Sequence, residues 1–143
     1  MSQTEITTKS AGQAATVRTY AFLLFGLLFW PLLIAAHVRA SRNRASADPV
    51  ERSHAGFQYQ TTTVALILGC VLFLAFLVVV FGFPPEEALA ASHWRMRGIL
   101  FFNLGYWVAL WAALRAVRGL YLAGLGKAVQ RPALWTLWAK PAD

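Results

Sequence analysis

The sequence predicts an all-α membrane protein with three transmembrane helices and short interfacial helices. The chain is 58% hydrophobic and 13% charged, with a mean hydropathy of +0.52, whereas soluble domains carry about 25% charged residues. Residues 64–83 form an apolar run without a charge. At about 1.5 Å per residue, this run matches the roughly 30 Å hydrocarbon core of a bilayer. Two further apolar runs flank it.

The N-terminal residues 1–17 form a polar tail without an apolar period, which we expect to be poorly ordered. A cleaved signal peptide is the competing interpretation of the next run. It is disfavoured because the apolar core exceeds the usual 7–15 residues or so and follows a long polar stretch.

The transmembrane domain is predicted to cover residues 18–119, with spans at about 19–37, 61–83 and 98–117. Pro31, which follows Trp30, removes one backbone hydrogen bond and predicts a kink near the end of the first span.

Helix starts are predicted in both loops. Asp48 and Pro49 have the order of an N-cap followed by proline in the first turn, so a helix should begin there and lead into the second span. In the second loop, residues 84–91 place two prolines and two glutamates at the start of a short segment, which predicts an interfacial helix.

The C-terminal residues 120–143 are predicted to lie on the membrane interface. Gly124, Gly126 and Pro132 interrupt this segment, and Trp135 and Trp138 are typical of the headgroup region.

Lysine and arginine residues predict the orientation, because basic loops remain cytoplasmic. Three spans place the tail and the second loop on one side, with Lys9, Arg18, Arg95 and Arg97. The first loop and the C-terminal segment are on the other side, and they hold Arg39, Arg42, Arg44, Arg52, Arg115, Arg118, Lys127, Arg131 and Lys140. This bias predicts an external N-terminus and a cytoplasmic C-terminus.

Small residues at helical spacing predict close helix packing. The candidates are Gly105, Ala109 and Ala113 on the third span, with Ala65 and Gly69 on the second. Packing within the three-helix bundle is one interpretation, and docking against a partner is the other.

Candidate polar contacts are Ser53, His54 and Gln58 before the second span and Asn103 inside the third. An interhelical hydrogen bond and a ligand contact are both open for Asn103. Arg39, Arg42 and Arg44 are candidate contacts for anionic lipids.

Several functions are disfavoured by the sequence. All six acidic residues lie outside the spans, which argues against an ion-coupled transporter. The three histidines do not converge on the predicted topology, and no catalytic or phosphate-binding motif occurs, so we expect no enzyme, metal or cofactor. The basic residues do not form the continuous stripe of a nucleic-acid binder.

Two stretches resemble a family of small, largely uncharacterised bacterial inner-membrane proteins, sometimes grouped with the chloroplast inner-envelope import channel. One is the Ser-His-x-x-Phe-Gln pattern of residues 53–58, followed by threonines and an apolar run. The other is Arg115-x-x-Arg118-Gly119-Leu120, with later Gly126, Pro132 and Trp135. The resemblance implies a bacterial inner-membrane location and carries no specific activity.

The leading functional hypothesis is a non-enzymatic accessory or assembly subunit that binds membrane lipids and another membrane protein. The alternative is a homo-oligomeric permeation or protein-translocation component, whose centre His54, Gln58 and Asn103 would line.

Overall fold

A computed structural model describes residues 3–83, 90–130, 133–134 and 136–142. It contains four helices: α1 (Gln3–Gly26), α2 (Trp30–Asn43), α3 (Pro49–Gly82) and α4 (Ala90–Gly124). The described residues form no sheet, and Val129 and Pro141 make an isolated antiparallel bridge. The tail predicted at residues 1–17 therefore differs from the structure, because α1 already begins at Gln3.

The first apolar run is a helical hairpin and not one span. α1 ends at Gly26, residues 27–29 form a turn, and α2 starts at Trp30 with Pro31 in its first turn. A Cβ atom at Gly26 would overlap the backbone of Leu33, so glycine allows the two helices to approach closely. The predicted span at about 19–37 is wrong because Pro31 begins a new helix after a full reversal of the chain.

α3 and α4 are long helices that pack against each other. α3 begins where predicted, since the Asp48 carboxylate accepts a hydrogen bond of 2.8 Å from the Val50 amide. Both helices are long and apolar enough to cross a membrane. In the described chain there are two such helices and not the three predicted. Of the predicted interfacial helix at residues 84–91, residues 84–89 lie outside the described chain, and Ala90 and Ala91 belong to α4.

The hairpin of α1 and α2 covers only part of α3 and α4. We call residues 53–65 and 112–124 the polar half of these helices, and residues 66–82 and 90–111 their apolar half. In the polar half, Tyr20, Leu23 and Leu33 from the hairpin are buried in one core, together with Phe57, Ala65, Ala112 and Ala116. The apolar half leaves large side chains exposed, including Phe73, Phe81, Phe102 and Trp107.

The ends of the described chain lie at the same end of the bundle. The Gln13 side chain on α1 donates hydrogen bonds to the carbonyls of Ala123 and Gly124 at the end of α4. After α4 the C-terminal segment folds back, and Arg118 donates from Nε to the carbonyl of Ala139 at 3.0 Å. This arrangement brings α1 close to the end of α4. The external N-terminus and cytoplasmic C-terminus, which follow from an odd number of spans, stay a prediction.

Candidate functional site

The guanidinium of Arg115 is the centre of the polar half. Its side chain is fully buried, with 0% exposure, and it makes four hydrogen bonds. Nε donates to the Thr61 hydroxyl at 3.1 Å, and one terminal nitrogen donates to the Gln60 side-chain oxygen at 2.7 Å. The other terminal nitrogen donates to the carbonyls of Leu134 and Thr136. Arg115 thus ties α4 to α3 and to the C-terminal segment.

Aromatic rings complete the surroundings of Arg115. The guanidinium carbon lies 4.6 Å from the Phe57 ring centroid and 4.9 Å from that of Trp111. Phe57 and Thr61 are one helical turn apart, as are Trp111 and Arg115, so each helix presents a ring and a polar group at the same level. None of the four acceptors is a carboxylate. The buried charge is stabilised by neutral oxygens and ring faces.

His54 forms a second buried polar contact beside Tyr20. The His54 Nε2 lies 2.9 Å from the Lys127 carbonyl, which is only an acceptor, so Nε2 carries the proton in the neutral ring. Nδ1 then accepts from the Tyr20 hydroxyl at 3.0 Å. The chain of bonds joins α1, α3 and the residues after α4.

Burial lowers the pKa of His54, and the hydrogen bond to the Lys127 carbonyl opposes this effect. His54 lies in the polar turns of α3 that precede the apolar run. The neutral imidazole is therefore the form that this contact favours.

Gly119 makes the approach of Tyr20 possible. A Cβ atom at residue 119 would overlap the Tyr20 hydroxyl and ring. Because Tyr20 is itself fully buried, it has no room to move aside. Gly119 is therefore needed for the seating of α1 on α4.

The structure brings three of the four predicted polar residues together. The Ser53 hydroxyl accepts from the Val129 amide at 3.0 Å, and Gln58 donates to the Thr16 carbonyl at 3.1 Å, close to His54. Asn103 lies elsewhere. It is exposed in the apolar half and donates to the carbonyl of Ile99 on its own helix at 2.7 Å.

The predicted packing residues divide into two groups. Gly69 contacts the Trp30 ring at the hairpin tip, which is packing within the chain. Gly105 has open space where a Cβ atom would lie. Together with Ala65 and Ala109, both glycines line a groove of about 410 Å³ below the hairpin tip. Ala113 does not line this groove. The buried Ala112 and Ala116 extend the small-residue face of Gly105 and Ala109 into the polar half.

The three predicted lipid-contacting arginines lie near the end of α2. Arg42 and Arg44 are exposed, whereas the Arg39 guanidinium lies 5.3 Å from the Phe22 ring centroid. Arg44 stands 4.4 Å from the Tyr59 ring centroid and borders a second groove, of about 300 Å³.

Sequence reasoning missed the roles of Arg115, Tyr20 and Gly119. From the sequence, Arg115 counts only as one of the basic residues on the predicted cytoplasmic side. The sequence did contain a signal for this role. Gln60 and Thr61 lie at the start of the second predicted span, and they provide the two side-chain acceptors that Arg115 uses.

The hydrogen bonds of this site connect different parts of the chain. Among the described residues, no group of three or more His, Cys, Asp or Glu side chains has the arrangement of a metal site. The buried donors and acceptors of His54, Gln58 and Arg115 are directed at other parts of the chain and lock α1, α3, α4 and the C-terminal segment together.

Comparisons with known proteins add no family assignment. No protein-family model matches the chain, and no curated protein and no solved structure matches it significantly.

Proposed function

We propose that the protein is a non-enzymatic integral membrane protein, an accessory or assembly subunit that binds a transmembrane helix of another membrane protein. In this proposal α3 and α4 cross the membrane, and the hairpin of α1 and α2 enters it from one side and returns. The apolar half of α3 and α4 is the binding surface.

The membrane location is supported by the exposure of the two apolar helices. Only 6% of the most apolar stretch of α3 and 17% of that of α4 is buried. The core helix of a soluble protein would bury most of such a stretch. Contiguous exposed apolar surface of this kind marks a membrane or protein interaction site.

The distribution of charge supports a cytoplasmic polar end in a bacterial inner membrane. Basic residues collect around the polar half and its loops, at Arg18, Arg39, Arg42, Arg44, Arg52, Arg118, Lys127 and Lys140, whereas Arg95 and Arg97 lie at the opposite end. Because basic segments remain cytoplasmic, both described ends of the chain are assigned to the cytoplasm.

The accessory-subunit proposal is based on the groove below the hairpin tip. Gly105 and Ala109 line it and leave the α4 backbone open to close approach. In membranes, helices associate through small residues because lipid provides no hydrophobic driving force between them. A partner helix that packs against Gly105 would gain this close contact.

The test is extraction of the tagged protein in mild detergent, followed by native-mass analysis of what co-purifies. We expect a stoichiometric membrane-protein partner. Gly105→Leu should displace it by filling the groove, whereas Gly98→Leu should retain it, since residue 98 also has open space around it but does not line the groove. A strictly monomeric wild-type particle would contradict the proposal.

A further inference from the structure

The second groove lies beside the end of α2 and has a polar and an apolar end. Its volume is about 300 Å³, and its lining residues come from the residue that follows α2, from α3 and from the C-terminal segment: Arg44, Gly56, Tyr59, Gln60, Thr63, Val64 and Leu134. The five residues from α3 follow one helical face over about 12 Å. Along that face the lining changes from Gly56 and Tyr59 to Val64, at the start of the apolar run.

A positive charge lies at the polar end of the groove, where the Arg44 guanidinium packs against an aromatic ring. The Arg44 guanidinium lies 4.4 Å from the Tyr59 ring centroid, and the Tyr59 ring stacks on His37 at 4.7 Å. His37 is fixed in turn by a contact of 3.0 Å between its Nδ1 and the Thr62 hydroxyl. Arg44 thus contacts one ring on α3, and that ring is held in turn by His37 of α2.

The acidic residues nearest in sequence are engaged elsewhere. Asp48 accepts from the Val50 amide, and Glu51 accepts from the side chains of Asn43 and Ser46. In the part of the chain that the structure describes, no carboxylate forms an ion pair with Arg44. The charge at the mouth of the groove is therefore available to an anion.

Neutral polar groups lie between the charge and the apolar end. The Gln60 side-chain oxygen is bonded to Arg115, so the group that Gln60 can offer a ligand is its amide N–H. Val64 and Leu134 then provide apolar surface. Along the groove a cation is followed by a neutral donor and then by apolar surface. A phospholipid has matching groups in the same order: a phosphate, the polar ester region and an acyl chain.

We propose that this groove binds one anionic phospholipid, with the headgroup phosphate at Arg44 and an acyl chain along Val64 and Leu134. The inference rests on the proposed membrane location of α3. Arg42 also lies near the end of α2 but does not line the groove, so it adds to the surface potential without contacting the bound lipid.

The experiment reconstitutes the full chain in nanodiscs of phosphatidylglycerol and phosphatidylcholine and counts retained lipids by native mass spectrometry. The wild type should retain phosphatidylglycerol preferentially. Arg44→Gln should lower this retention about fivefold, and Arg42→Gln, which removes the same charge, should change it by less than about twofold. Equal losses in the two variants would overturn the proposal, because diffuse surface attraction would then explain the preference.

A competition arm distinguishes a lipid from a soluble phosphate compound. Excess inorganic phosphate or glycerol phosphate should not displace phosphatidylglycerol from the wild type, since neither has an acyl chain to contact Val64. Displacement by either compound would overturn the lipid assignment. Carbonate extraction of native membranes reports separately on membrane insertion, so that failure of the membrane location is distinguishable from failure of the lipid site.

Discussion

The polar and apolar halves of α3 and α4 are held in different ways. In the polar half, defined hydrogen bonds from Arg115 and His54 join four parts of the chain, and Tyr20 fills the space that Gly119 leaves. In the apolar half, Phe73, Phe102 and Trp107 are exposed. The polar half therefore carries its own tertiary contacts, whereas the apolar half has apolar surface that the described chain leaves uncovered.

The largest expected effect comes from removing a buried guanidinium. Arg115→Met leaves the Thr61 hydroxyl, the Gln60 oxygen and two backbone carbonyls without their donor, so we expect a loss of about 3 kcal/mol or more in stability. Arg97→Met in the apolar half removes bonds to the carbonyls of Val79 and Phe83, of which the second is exposed, and should cost less than about 1 kcal/mol.

Thermal unfolding in one detergent measures both arginine variants. Arg115→Lys should fall between wild type and Arg115→Met, because one ammonium group cannot reach all four acceptors in the geometry of a fork. Equal melting temperatures for the Arg115 and Arg97 variants would remove the distinction between the two halves.

Two glycines on α4, one in each half, should respond differently to substitution by alanine. Gly119→Ala introduces a methyl group against Tyr20 and should destabilise by about 2 kcal/mol. Gly105→Ala meets open space and should be neutral or stabilising by up to about 1 kcal/mol, since alanine is the better helix former. If Gly119→Ala were as stable as wild type, the packing of Tyr20 on α4 would be incorrect.

The smallest expected effect is a pH dependence from His54. Its pKa is lowered by burial, so the unfolded chain binds a proton at higher pH than the folded chain does. Stability should consequently be complete above the unfolded value of about 6.5 and decline as the pH falls below it.

The His54→Gln variant checks the source of this pH dependence. Its stability should change less between about pH 7.5 and pH 5.5 than that of the wild type, while His93→Gln keeps His54 and should retain the wild-type change. An unchanged profile in His54→Gln would show that other groups cause the acid sensitivity.

The features predictable from sequence were those set by local chemistry. The helical character, the N-cap at Asp48 and the apolar run of α3 depend on neighbouring residues, and all three are present in the structure. The hairpin was not predictable from the Trp30-Pro31 pair, because a proline is compatible with a kink or with a reversal. The close approach of α1 and α2 at Gly26 distinguishes them, and it is a tertiary contact.

Only the part of the candidate site that depends on residues close in sequence was predictable. Ser53, His54 and Gln58 share one end of α3, so a local pattern brought them together. Asn103 was grouped with them by polarity alone and lies in the other half. Arg115 is the centre of the site, yet an arginine at the end of an apolar run is usually assigned to the membrane–water interface. Only the positions of Gln60, Leu134 and Thr136 reveal its burial.

The membrane topology of three points on the chain decides whether the first apolar run turns back or crosses the membrane. Reporter fusions at the N-terminus and the C-terminus, and a cysteine at Ser41 in a Cys70→Ala background labelled with a membrane-impermeant reagent, give the side of each. The hairpin and two crossing helices predict that all three lie on the cytoplasmic side. An N-terminus on the opposite side from residue 41 would mean that the first apolar run crosses the membrane, and the proposed hairpin with two crossing helices would be wrong.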